Sequence, residues 1–302
     1  MTGGGAQATA AGAPARGLGG VARALARFVK IEHTVFALPF AAAGVLLARR
    51  DDLPGPAAWL WVLAAMVGAR SLAMALNRII DRRLDAANPR TALRELPAGV
   101  LSLRTALTFS AVSLALLVVA TTQLDPLTRV LWPIPVAMFV AYPLLKRVTA
   151  LCHLFLGATI GLAPVGAWVA VTGDLPGAAW ALGAAVACWI AGFDIIYATQ
   201  DVEHDRAVGL HSLPADAGLP AALLATRALH GAAIVALAAA GILADAGLLY
   251  FGGVVAGAGL LVYENAIVRP ERLDRVAFAF LNLNGTLSVA FGAFVLADVI
   301  AG

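Results

Sequence analysis

Charge is what this sequence has least of. Asp, Glu, Lys and Arg make up 13% of its 302 residues, against about a quarter in soluble domains. Together with a mean hydropathy of +0.86, that shortage excludes the ordinary water-soluble class and indicates an integral membrane protein. Cysteine is nearly missing too: Cys152 and Cys188 both fall inside apolar runs, so no disulfide framework is implied. No stretch reads as a cleavable signal peptide, because the first good apolar run begins near residue 33 and leads straight on. Residues 1–20 lack any acidic side chain and are rich in Gly and Ala. We read 1–25 as a disordered tail and 26–302 as one transmembrane domain.

What is abundant is apolar length. Runs of spanning length lie near 31–48, 57–80, 100–121, 127–145, 149–171, 177–199, 219–243, 246–267 and 276–300. The expected fold is therefore all-α, a polytopic bundle of nine transmembrane helices. Turn signals separate them, among them DDLPGP at 51–56 and TGDLPG at 172–177. Lys and Arg gather in the tail and in every second connection, whereas the other side holds only Arg49, Arg50 and Arg129, with Arg70 inside a span. By the positive-inside rule the N-terminus and those basic loops are cytoplasmic and the C-terminus is outside, in a bacterial-type inner membrane. This charge is leaflet charge, and a nucleic-acid partner is not needed to explain it. Trp59, Trp61, Trp132 and Trp180 suit the opposite interface.

Two of the basic connections are long and polar, and each opens on a pair of carboxylates. NRIIDRRLD (77–85) places Asn77, Asp81 and Asp85 at i, i+4 and i+8, a spacing that drifts only about 40° per step around a helix. DIIYATQDVEHD (194–205) repeats the spacing in Asp201 and Asp205, 120 residues after Asp81 and Asp85. The match points to two four-helix repeats, 1–4 and 5–8, with a ninth helix added. One such pair would be explained by a solvated rim of salt bridges; two at matched positions call for cations. Hard oxygen ligands at this density suit Mg²⁺, which completes its shell with water and substrate phosphates. Arginines and the Lys146–Arg147 pair supply donors for diphosphate oxygens. A diphosphate ester with a long hydrocarbon tail fits such a site, head at the mouth and tail in the lipid bilayer.

Asp194 lies inside the apolar run WIAGFDIIYA, where an ionisable side chain lines a cavity or pairs with another helix. The five histidines form no metal set. His204 is expected to face away from the carboxylates, and His33 and His153 to make interhelical hydrogen bonds. Arg78, Arg82 and Arg83 read as leaflet anchors. A different class, a secondary transporter with an intramembrane carboxylate site, also uses repeats and buried acids. It would place its acids near the midplane, whereas most of these sit at helix ends. A non-catalytic lipid-binding scaffold is a third reading.

Asn77-x3-Asp81-x3-Asp85, then RTALRELPAG (90–99), then Tyr197 ahead of Asp201-x3-Asp205, resemble the UbiA superfamily of intramembrane aromatic prenyltransferases. The resemblance covers almost the whole chain after residue 25. It implies transfer of a polyprenyl group from polyprenyl diphosphate to an aromatic ring, with two Mg²⁺ ions bridging the diphosphate. Asn77, Asp81, Asp85, Asp201 and Asp205 would hold the metals, and Arg94, Lys146 and Arg147 the diphosphate. Asp194 and Tyr197 would lie at the reacting centre. The acceptor would be an aromatic acid of respiratory quinone synthesis. FVKIEHTVFALPF (28–40) and NPRTALRELP (88–97) are closer to the branch that acts on 1,4-dihydroxy-6-naphthoate than to the one that acts on 4-hydroxybenzoate. Lys30 or Arg27 would then meet the acceptor carboxylate, if they are not simply juxtamembrane charges.

Overall fold

A computed structural model describes residues 14–15, 17–30 and 34–302. Among these residues there is no strand, only an isolated bridge between Arg269 and Arg272. Helices α1 (Gly17–Phe28) and α2 (Thr34–Ala48) lead into the long α3 (Pro56–Ala87), followed by α4 (Leu103–Thr122), α5 (Pro126–Leu131), α6 (Pro133–Leu145) and α7 (Cys152–Thr172). Helix α8 (Gly177–Ala198) continues through a 3-10 turn at Thr199–Asp201 into α9 (Val202–Val208). After α10 (Leu213–Ala217) come α11 (Leu219–Leu243), α12 (Leu248–Ile267) and α13 (Val276–Phe278), then a π-helical turn at Ala279–Leu283 and α14 (Asn284–Ala301).

Eight helical stretches among the described residues are long and apolar enough to cross a bilayer. The expectation was nine. The first expected span, 31–48, contributes α2 with 15 residues, about 22 Å of helix against a hydrocarbon slab of about 30 Å. The N-terminal reading also changes: residues 17–25 of the expected tail belong to a helix, Gly17–Phe28. Its Ala24 and Phe28 are buried against Ala75, Leu101 and Ala106. A short amphipathic stripe is marginal alone and becomes a helix when its apolar face is covered. His33 and Arg16 lie outside the described residues.

Helix α8 is the central element. It is apolar all round and packs on α7 and α11, burying both faces. The α7–α8 approach depends on missing side chains: a Cβ on Gly161 would stand 2.5 Å from the Gly183 carbonyl oxygen. Small residues let backbones meet where water supplies no driving force between helices. Two rods then position the functional end. Helix α3 and the stretch Gly177–Val208 each run 32 residues, about 48 Å, so their C-terminal parts extend past a slab of about 30 Å. Both carboxylate pairs ride on those extensions.

Candidate active site

The ends of the two rods face one another across a cavity of about 190 Å³, whose wall includes Asn77, Asp81, Asp85, Asp201 and Asp205. The helical spacing of the first motif has the consequence read from it. Asp81 and Asp85 are 2% and 6% exposed, while Arg82 and Arg83 between them point out to the surface.

Every carboxylate is engaged. Lys146 Nζ donates to Asp81 Oδ2 at 2.5 Å, and Arg147 Nη2 lies 3.5 Å from Oδ1. Arg94 Nη1 donates to Asp85 Oδ1 at 2.6 Å. Arg78 is no leaflet anchor: it is 4% exposed, donates from Nε to the Phe28 carbonyl at 3.3 Å, and stands 3.9 Å from Asp85 Oδ2. The carboxylate beside it, together with the Phe28 carbonyl at the end of α1, holds its charge inside.

On the other rod, Arg90 grips Asp201 with two nitrogens, Nε at 2.8 Å from Oδ1 and Nη2 against Oδ2, while its Nη1 donates to the Tyr197 hydroxyl at 2.8 Å. Asn88 Nδ2 adds a bond to Asp201 Oδ1 at 3.1 Å, and its Oδ1 accepts from the Arg90 amide at 2.9 Å. Partial burial works against the charge on Arg90, but the bonds and the charge of Asp201 outweigh it and hold the guanidinium above its ordinary range. Asp205 Oδ2 accepts from Ser212 Oγ at 2.9 Å.

Asp194 satisfies both halves of its reading. It lines the cavity, and its Oδ2 is 2.7 Å from Nδ1 of His153 on α7. The interhelical hydrogen bond expected of His153 is therefore present. Tyr197 of the cavity wall meets Phe280 in a tilted contact with centroids 4.4 Å apart, and Phe280 meets Phe193 at 5.2 Å, so an aromatic cluster backs Tyr197. Lys30 Nζ sits 6.0 Å from the Tyr197 ring centroid. Arg27 is not brought to the cavity: its side chain is 65% exposed and lies 3.7 Å from Glu95. His204, expected to face away, is part of the cavity wall, because the α8–α9 rod changes pitch at the 3-10 turn. Sequence reasoning missed Arg90 and Asn88. The available signal was Asn88-Pro89, a turn starter that folds the loop back over the cavity.

Among the described residues no three His, Cys, Asp or Glu side chains are close enough together to cage a metal. Asp81 Oδ1 and Asp85 Oδ2 are nevertheless buried carboxylate oxygens with no hydrogen-bond partner. Such oxygens suit Mg²⁺, which takes one or two carboxylates and completes its shell elsewhere. The donor set fits that ion.

Comparison with known proteins identifies the family and the fold. The model of the UbiA prenyltransferase family matches residues 37–286. A 4-hydroxybenzoate octaprenyltransferase of Shewanella frigidimarina is 32% identical over 280 residues, covering 91% of this chain and 96% of that protein. One from Aliivibrio fischeri is 30% identical over 263 residues, covering 83% and 88%. Among solved structures, an apo UbiA homolog from Aeropyrum pernix superposes with a TM-score of 0.77 at 33% identity, covering 90% of this chain and 98% of that one. A UbiA homolog from Archaeoglobus fulgidus bound to DMAPP and Mg²⁺ shares the fold at 18% identity, with a TM-score of 0.72 and coverage of 92% and 99%. The chain belongs to the UbiA prenyltransferase family.

Proposed function

We propose that this membrane prenyltransferase moves a polyprenyl group from its diphosphate to a ring carbon of a hydroxylated aromatic carboxylic acid, 4-hydroxybenzoate or 1,4-dihydroxy-6-naphthoate, in respiratory quinone synthesis. One observation carries the reading: two acidic pairs on matched 32-residue rods meet across a cavity whose wall also carries the cations Arg90, Arg94 and Lys146. The names of the curated relatives support 4-hydroxybenzoate. The motif-flanking residues quoted above support the naphthoate.

Asn77, Asp81 and Asp85 on one rod, and Asp201 and Asp205 on the other, would hold two Mg²⁺ ions. Mg²⁺ held there would supply positive charge against the departing diphosphate and so lower the cost of breaking the allylic C–O bond. Lys146, Arg147 and Arg94 exchange their carboxylate partners for phosphate oxygens as the head group enters, so that no charge is left alone in a buried site. The aromatic cluster of Tyr197, Phe280 and Phe193 excludes water from the allylic carbon, which would otherwise give the alcohol. The ring carbon beside the acceptor hydroxyl supplies the electron pair of the new C–C bond as the C–O pair departs with diphosphate. Loss of the ring proton then restores aromaticity. Asp194 faces the acceptor, and Lys30, beside Tyr197, meets its carboxylate. The positive-inside rule, applied to the basic loops, supports a site and N-terminus on the cytoplasmic side and a C-terminus outside.

Membranes holding the protein, given labelled polyprenyl diphosphate and Mg²⁺ with both acids in competition, test this directly. A prenylated acid is expected, and its identity assigns the acceptor. Diphosphate-dependent binding without turnover would favour a lipid-binding scaffold instead.

A further inference from the structure

We propose that His153 is a positioning residue for Asp194, held in one neutral tautomer by the backbone so that it fixes the carboxylate facing the aromatic acceptor. The inference rests on the transferase reading above. His153 opens α7, is 4% exposed and lines the cavity. Its two ring nitrogens have different partners. The Leu213 amide donates to Nε2 at 3.1 Å, and Nδ1 lies 2.7 Å from Asp194 Oδ2. A ring nitrogen that accepts from an N–H carries no proton, so the proton resides on Nδ1 and is donated to the carboxylate. An imidazolium would set two N–H groups against one another at Leu213. Both nitrogens are thus in use, and His153 is not itself a base.

The consequence lies in what is left open. With Oδ2 held, Asp194 keeps Oδ1 for the hydroxyl of the acceptor, and its direction is set by a group whose two ring nitrogens are both engaged within the protein. An orienting hydrogen bond of this kind fixes geometry that a lone carboxylate at the mouth of a cavity would lose. The Leu213 amide belongs to a strap with two further ties. The His211 amide bonds the Lys146 carbonyl at 2.7 Å, and Ser212 Oγ bonds Asp205. Three consecutive residues therefore link the end of α6, the second acidic motif and His153. The seat of the acceptor is connected to the seat of the diphosphate.

The test separates the two halves of the reaction in the purified full-length protein. Total diphosphate release and prenylated acid are measured together from farnesyl diphosphate, Mg²⁺ and each acid. His153→Ala is expected to keep diphosphate release within about 3-fold while lowering prenylated product about 10- to 100-fold, the difference appearing as prenyl alcohol. His153→Asn, which retains a donor at the Nδ1 position, is expected to recover coupling to within about 3-fold. His153→Gln, which reaches only the Leu213 side, should resemble His153→Ala. If the Ala variant does not fold, the Asn and Gln pair decides alone. An equal fall in release and transfer in all variants, or full coupling in His153→Ala, overturns the proposal. A wild-type protein with no Mg²⁺-dependent release overturns the transferase reading beneath it, a result distinct from release with unchanged coupling.

Discussion

Arg90 and Asp201, 111 residues apart in the chain, are joined by a two-nitrogen ion pair across the cavity. The arginine belongs to the loop after the first acidic motif and the aspartate to the second motif. Each acidic motif is thereby held by residues from outside its own rod: Asp81 by Lys146, Asp201 by Arg90. The same guanidinium steadies the Tyr197 hydroxyl. On the proposed function, the charges that would meet Mg²⁺ and diphosphate are stored as internal pairs, which keeps a buried acidic site from opposing its own folding.

Arg90→Lys should therefore not be conservative. A single ammonium cannot reproduce two bonds to Asp201 and one to Tyr197. We expect kcat/KM for diphosphate release to fall about 10- to 100-fold. Initial-rate measurements decide it, and wild-type rates in the lysine variant would show that the fork is not used.

Asp81→Asn and Asp201→Asn should each lower Mg²⁺-dependent diphosphate release by about 1000-fold or more, since the removed charge is what a hard cation binds. Chelation by EDTA should abolish release in the unaltered protein, with recovery on added Mg²⁺. Unchanged release in both variants would remove these residues from the metal site.

Asn284 is the centre of a buried network behind the site. Its Oδ1 accepts from Trp189 Nε1 at 2.6 Å, and its Nδ2 donates to Glu264 Oε1 at 2.9 Å and to the Ala279 carbonyl at 3.0 Å, inside the π-helical turn. Asn284→Ala leaves Trp189 Nε1 and Glu264 Oε1 buried without this partner, while the Ala279 carbonyl keeps the backbone N–H of residue 284, and should cost about 1–3 kcal/mol. A lower thermal midpoint in detergent is the expected reading, and an unchanged midpoint would contradict it.

Gly161→Val tests the α7–α8 contact. The new Cβ would press on the Gly183 carbonyl, which must move for the helices to stay together. Overpacking of this kind costs about 1–3 kcal/mol. The companion change Gly166→Ala meets open space within α7 and should not lower the thermal midpoint.

The all-α fold, the long apolar runs and the two acidic motifs were legible in the sequence because each depends on residues within a few turns of one another. Apolar length marks a span whatever it packs against, and a four-residue spacing shares a helix face in any context. The helix at Gly17–Phe28 and the buried position of Arg78 were not legible. Both depend on what covers a face, and Ala75 or Phe28 covers its neighbour only after the chain has folded.

The site divides in the same way. Asn77, Asp81, Asp85, Asp201 and Asp205 announced themselves by spacing, and the structure gathers all five at one cavity. Local order could not say that Arg90 answers Asp201, that Lys146 answers Asp81, or that the Leu213 amide selects the tautomer of His153. Those pairings join residues 60 to 111 positions apart. Local spacing determined which side chains would share a helix face, while only the packing of α3 against α6 and of the loops over the two rods decided their partners. Contact energy between distant residues exists only once the backbone has brought them within a few ångströms.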